Sequence, residues 1–130
     1  MILEFKFKNF RSAKDWQILS FEASADKISE EYYCTTINDT KVLKLGILYG
    51  ANASGKTNVL LALDFIRKIA ISPKINKMQP IGFTPFLLDD TTKKECGVFE
   101  LTFFVNNIKH IYYLEVDNSA VLKETLRSEE

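Results

Sequence analysis

Eight consecutive residues, Gly50-Ala51-Asn52-Ala53-Ser54-Gly55-Lys56-Thr57, meet the pattern Gly-x-x-x-x-Gly-Lys-Ser/Thr at every fixed position. Each fixed position has a task in holding phosphate. Gly50 lets the backbone leave a strand in a conformation that a Cβ disfavours, and Gly55 lets the main chain approach a phosphate closely. Consecutive N–H groups from Ala53 to Thr57 would form an anion nest, reinforced by the positive end of a following helix. Lys56 brings a mobile point charge to the β- and γ-phosphates and is the candidate catalytic residue. The Thr57 hydroxyl is the candidate Mg²⁺ ligand. Nucleotide-contacting candidates are therefore Gly50, Ala51, Asn52, Ala53, Ser54, Gly55, Lys56, Thr57 and the adjoining Asn58, with ATP and Mg²⁺ as ligand and cofactor.

Chance matches to such a pattern occur on the order of once in a few hundred chains of this length, given glycine usage near ~7%. Context therefore has to decide between a phosphate loop and a glycine-rich turn without a ligand. The pattern needs a strand before it and a helix after it. Leu45-Gly46-Ile47-Leu48-Tyr49 is a short apolar run of the kind buried on both faces in a parallel sheet. Asn58 to Ile69 is rich in good helix formers and apolar around much of its circumference, which predicts a largely buried helix. Arg67 and Lys68 fall near the negative end of its dipole, and Pro73 limits its extent.

Around this unit the pattern is mostly β. Ile2 to Phe7 alternates with the period of a half-buried strand, and Trp16 to Phe21 fits a second strand. The polar stretch Asn9 to Asp15 connects them, so an antiparallel pair is expected. Val98 to Val105 and Ile108 to Val116 alternate around Asn106-Asn107, two residues that tolerate positive φ, and predict a hairpin. Glu22 to Lys41 reads as loop, Ile71 to Lys94 as an irregular connector, and Val121 to Glu130 is ambiguous between strand and helix. The expected fold class is α/β, with residues 1–130 as one unit.

Composition bounds the rest. The 130 residues, 46% hydrophobic and 26% charged, suit one globular domain. Seventeen basic and seventeen acidic side chains cancel, so no global field draws the chain to nucleic acid or anionic lipid. Cys34 and Cys96 belong to no ligand spacing, which favours free thiols and a reducing, cytoplasmic setting. No stretch is long and apolar enough to span a bilayer, so no membrane partner is expected.

The loop spelling Gly-x-Asn-x-Ser-Gly-Lys-Thr-Asn, with about forty residues and two strands ahead of it, resembles ABC-type ATPases of the RecF and structural-maintenance-of-chromosomes branch. The opening Ile2-Leu3-Glu4-Phe5-Lys6-Phe7-Lys8-Asn9-Phe10-Arg11-Ser12 looks like that branch's first strand and Asn-Phe-Arg-Ser turn. The likeness is strongest to bacterial AAA-like ATP-binding proteins of overcoming-lysogenization-defect and abortive-infection type, in which a Pro-Phe segment like Pro85-Phe86 follows the helix. Its specific part is confined to Met1–Ser12 and Tyr49–Leu63. The resemblance implies a P-loop NTPase head, Arg11 and Ser12 near the nucleotide base or γ-phosphate, and Asn52 shaping the loop. It also implies a head that forms homodimers around ATP and a role in DNA maintenance or phage defence, with DNA itself unsupported by the net charge.

That family's downstream Leu-Ser-x-Gly signature, acidic Walker B pair and switch histidine have no match here, so the resemblance implies the N-terminal part of a longer ATPase. Such a part is expected to bind ATP and hydrolyse it poorly, because nothing polarises the attacking water. Two other readings stay open. Phe86-Leu87-Leu88-Asp89-Asp90 superficially resembles an apolar strand ending in acids, which would make a self-contained small NTPase or kinase; Pro85 and the short apolar run argue for a turn instead. The edge of the Val98–Val116 hairpin could serve a non-enzymatic interaction module. His110 and the alternating aromatics read as structural, and nothing around Gln79 supports a metal-sensing role.

Overall fold

The computed structural model describes residues 1–24, 30–71 and 80–129. Pro73 and Gln79 lie outside them. Alternation in the sequence becomes a five-stranded sheet of order β2-β1-β5-β6-β7, built from β1 (Ile2–Lys8), β2 (Gln17–Ser20), β5 (Gly97–Val105), β6 (Ile108–Val116) and β7 (Val121–Glu129). Every neighbouring pair is antiparallel. A separate hairpin pairs β3 (Cys34–Ile37) with β4 (Thr40–Leu43), just after a single helical turn, α1 (Glu30–Tyr33). The long helix, α2, spans Lys56–Ile71. The architecture is thus mixed α/β with a mostly antiparallel sheet.

The register explains the core. Leu19, Phe5, Leu101, Tyr112 and Leu126 stand in one row across the five strands, and Phe7, Phe99 and Leu114 stand in the next. Their shared face is covered by Ala62, Phe65 and Ile66 of α2 and by Phe10 and Phe83 from the connections. Rings crowd at the centre: Phe65 lies 5.1 Å from Phe99, and Phe10 lies 5.4 Å from Phe99 and 5.5 Å from Phe65. Such tilted and edge contacts add to the burial of each ring. The opposite face begins with polar contacts, including Lys6 bridging Glu4 (2.8 Å) and Glu100 (3.5 Å). Asn106 and Asn107 turn the β5–β6 hairpin at φ of 51° and 63°, as their short polar side chains allow.

Several expectations need correction. Leu45–Tyr49 carries no strand, and Leu45, Ile47, Leu48 and Tyr49 are exposed. A strand exists only through a hydrogen-bonded neighbour, and among the described residues none pairs with this run. Within Glu22–Lys41, expected as loop, Cys34–Ile37 forms β3 and the chain enters β4 at Thr40. The turn there uses Asn38 and Asp39 at φ of 46° and 64°. Helix α2 buries one face only: Leu60 and Leu61 on the other are exposed. Arg67 and Lys68 both pair with Asp64, at 2.8 and 2.6 Å. The β5–β6 hairpin is no edge, since β1 and β7 flank it, which removes the feature that motivated an interaction module. Phe86–Asp90 forms bends and a turn rather than a strand, with Leu87 and Leu88 exposed, so it does not build a Walker B element.

Gly97 opens β5 under the ring of Phe83. A Cβ there would meet Phe83 Cε2 at 2.2 Å and Cζ at 2.7 Å, with the Asn9 carbonyl oxygen at 3.2 Å. Gly97→Ala should therefore destabilise by about 1–3 kcal/mol in urea unfolding, the usual cost of overpacking. Phe83→Leu in the same chain should recover part of the loss; no recovery would place the strain in the backbone instead.

Candidate functional site

The site is built where two connections meet the start of α2. After β1 the chain turns sharply through Asn9 and Arg11, at φ of 50° and 53°. Asparagine tolerates this region; for arginine it costs roughly 1 kcal/mol. The turn is held by a set of backbone and side-chain hydrogen bonds. Phe10 and Ala13 exchange N–H···O bonds of 2.9 Å, Asn9 N–H donates to Lys14 O (3.1 Å), and Arg11 N–H donates to Thr84 O (2.8 Å). The buried Asn9 carboxamide donates to Thr92 O (2.8 Å), Glu95 O (2.9 Å) and Cys96 O (3.3 Å), and accepts from Phe86 N–H (2.9 Å). From the helix side, buried Asn58 Nδ2 donates to Phe10 O at 3.1 Å.

The loop Gly50–Thr57 bends through Ala53 at φ 62° and Gly55 at φ 90°. Gly55 O accepts from Asn58 N–H at 3.0 Å and from Val59 N–H at 3.4 Å, so the helical ladder starts there. The N–H groups of Gly55, Lys56 and Thr57 have no acceptor among the described residues. They are the orphan donors of a 16-residue helix, and they concentrate its positive end at the loop. Lys56 Nζ donates to Gly50 O (2.7 Å), Ala51 O (2.6 Å) and Ser54 Oγ (3.3 Å). All three ammonium donors are thus spent on the loop itself.

Between the β1–β2 turn and this loop lies a cleft of about 860 Å³. Of the residues singled out from sequence, Ser12, Gly50, Ala53, Ser54, Gly55, Lys56 and Asn58 line it. Ala51, Asn52 and Thr57 are exposed on the loop without lining the cleft. Arg11 is also exposed and outside the lining; its guanidinium sits 5.6 Å from the Phe10 ring centroid. The Asn58 amide is committed to Phe10 O, so its present role is to tie the helix to the turn.

Sequence reasoning missed Lys14, Asp15, Gln17 and Phe86, which also line the cleft. It passed over Asn9 as part of a polar turn. The available signal was an asparagine directly after an alternating strand, where a short amide can both accept positive φ and reach neighbouring backbone. Lys14 Nζ lies 2.6 Å from Asp89 Oδ2. That bond, followed by bonds from the Thr91 hydroxyl and N–H to Oδ1, holds the Asp89 carboxyl far below the usual carboxylate range, and the same partner raises Lys14. Among the described residues no group of three His, Cys, Asp or Glu side chains converges as a metal site.

A second groove of similar volume runs between α2 and β5–β7, and it is mainly apolar. Its ionised groups are engaged: Asp64 with Arg67, and Glu124 with the Tyr112 hydroxyl at 2.6 Å. It offers an anion nothing comparable to the start of α2.

An antiparallel sheet packs against a long helix that starts at a glycine- and lysine-bearing loop, and a family match supports the class of an AAA-type, P-loop ATPase-like domain. The AbiEii toxin-like AAA domain family (AAA domain, Type IV TA system) matches residues 46–130, about two thirds of the chain, and the chain belongs to that family. The matched span contains the whole of Gly50–Thr57. Membership points to nucleotide binding and to ATPase chemistry. A search of curated proteins returned no match. No helix among the described residues is long and apolar enough to cross a membrane.

Because Asn9 holds the cleft wall, Asn9→Ala should leave the Phe86 N–H and three carbonyls short of partners and cost about 2–4 kcal/mol. Thermal unfolding should fall by on the order of 10 °C. Asn58→Ala, which loses one bond, should cost about 1 kcal/mol; equal effects of the two would remove Asn9 from its central place.

Proposed function

We propose that this domain binds the triphosphate of ATP, with Mg²⁺, at Gly50–Thr57. The observation that carries the reading is the set of unpartnered N–H groups of Gly55, Lys56 and Thr57 at the positive end of α2, with the Lys56 ammonium folded back over the same loop. A phosphate oxygen is the acceptor those donors lack. Its charge can draw Lys56 away from carbonyl oxygens that are weaker partners for an ammonium. Family membership supports the nucleotide, and the spelling Gly-x-x-x-x-Gly-Lys-Thr supports its phosphates as the part recognised.

The fit for Mg²⁺ rests on Thr57. Its hydroxyl has no hydrogen-bond partner among the described residues and sits in the first turn of α2. Thr57 would offer the ion one protein oxygen, and the ion would supply charge neutralisation of the triphosphate. Ser12 lines the cleft on the β1–β2 side and offers the nucleotide a polar contact. The finer placement, an ABC-type head that dimerises around ATP and serves DNA maintenance or phage defence, is proposed on the resemblance of Ile2–Ser12 and of Asn52 and Asn58 in the loop.

At a Mg·ATP concentration 100-fold above its dissociation constant, the wild-type chain should gain about 2.7 kcal/mol of stability. Differential scanning fluorimetry should register a rise in Tm that is absent in Lys56→Ala. Thr57→Ala should keep the response to ATP but lose the increment that Mg²⁺ adds. Superimposable melting curves for wild type and Lys56→Ala across the titration would sink the reading.

A further inference from the structure

Among the described residues two cations line the cleft, Lys56 in the loop and Lys14 on the wall formed by the β1–β2 turn. The Lys14 main chain is fixed by the bond from Asn9 N–H to its carbonyl, so the position of that wall depends on the buried Asn9 hub rather than on the side chain itself. The Lys14 side chain remains about half exposed. Its ammonium is therefore accessible from the solvent that fills the cleft.

Its present partner is arranged for exchange. Asp89 Oδ1 closes the Asp89–Thr91 turn by accepting from Thr91 N–H (2.8 Å) and Oγ1 (2.7 Å), whereas Oδ2 has Lys14 as its partner at 2.6 Å. Taking Lys14 away leaves the turn intact. The loop after Pro85 thus presents one carboxylate oxygen to a lysine that lines the cleft, in the way a phosphate oxygen would. We propose that Lys14 is a second phosphate-contacting residue of this site and that Asp89 is its resident competitor, displaced when the nucleotide binds. The proposal rests on the reading of Gly50–Thr57 as the phosphate site.

A chemical consequence follows. A contact from a second ammonium favours the ligand with more negative charge, so Lys14 should discriminate triphosphate from diphosphate. Asp15, which also lines the cleft, opposes anion binding in general and makes the supply of a cation from this wall more consequential. Lysine acts here as a point charge rather than a fork, so arginine should substitute for it in charge though not in every contact.

The experiment is calorimetric titration of the 130-residue chain with Mg·ATP and Mg·ADP, in wild type, Lys56→Ala, Lys14→Ala, Lys14→Arg and Asp89→Asn. Lys14→Ala should weaken ATP binding by about tenfold and ADP binding by less, the size expected for one charge-assisted contact. Lys14→Arg should restore most of the ATP-over-ADP preference. Asp89→Asn keeps the Oδ1 acceptor for Thr91 but releases Lys14, so it should tighten ATP binding by several-fold. A gain that disappears in the Lys14→Ala/Asp89→Asn double variant depends on Lys14, whereas removal of the Asp89 charge alone would give a gain that persists without Lys14. An unchanged ATP-to-ADP ratio in both Lys14→Ala and Asp89→Asn, with binding still lost in Lys56→Ala, overturns the role of Lys14 alone. Absence of nucleotide binding by the wild type, or binding unaltered by Lys56→Ala, overturns the underlying site. Should Lys14→Ala fail to fold, Lys14→Gln, alone and combined with Asp89→Asn, supplies the same comparison.

Discussion

The carboxamide of Asn9, only 2% exposed, joins stretches of chain that sequence keeps more than seventy residues apart. Its Nδ2 serves three carbonyls, Thr92, Glu95 and Cys96, with two hydrogens, so one is shared; its Oδ1 takes the Phe86 N–H. A buried amide left without partners costs far more than a satisfied one returns, so this geometry is strongly specified. It fixes the turn after β1 to the chain entering β5 and to the segment around Phe86. No other single side chain among the described residues connects so many parts of the site.

The aromatic core and the candidate site are therefore not independent. Phe10, next to Asn9, sends its ring among Phe65, Phe83 and Phe99 while its carbonyl accepts the Asn58 amide. One residue thus packs against α2 with its side chain and anchors the first turns of that helix with its backbone. Asn58 is two residues beyond Lys56, so the place where α2 begins, and where its unpartnered N–H groups lie, is set by a contact to the β1–β2 turn. Arg11 holds a left-handed backbone because its N–H is needed by Thr84 O, and its side chain is left on the Phe10 ring outside the cleft.

Much of this arrangement was legible in the sequence where local rules dominate. Strand period predicted β1 and the β5–β6 hairpin, and the Asn106-Asn107 turn announced its own backbone. The helix after the loop was read within two residues at each end. What was not legible depended on partners distant in sequence. Leu45–Tyr49 has the composition of a buried parallel strand, but composition states only what a segment tolerates, and no described strand pairs with it. The β3–β4 hairpin was hidden because Thr35, Thr36 and Thr40 blur the alternation of apolar residues that marks a strand. β7 was ambiguous because most of its residues are exposed, leaving cross-strand bonds to β6 rather than burial to define it. Asn9 and Lys14 were missed as chemistry because each acquires its role from residues some eighty positions later.

The state of Lys56 bears on how such a loop remains formed before it meets a ligand. A ring of backbone around positive φ at Ala53 and Gly55 has little internal support: one weak bond, Ser54 N–H to Ala51 O at 3.3 Å, closes it. The ammonium supplies the rest, bridging Gly50 O, Ala51 O and Ser54 Oγ from the first residue of α2. The cation therefore holds the two ends of the loop against each other while the N–H groups at the helix start stay free. Loop shape is thereby kept at the expense of carbonyl acceptors and not of the donors that an anion would use. An apolar residue at this position would remove both the charge and the internal brace, so the consequences of losing Lys56 extend beyond the loss of one charge to the preorganisation of the loop itself.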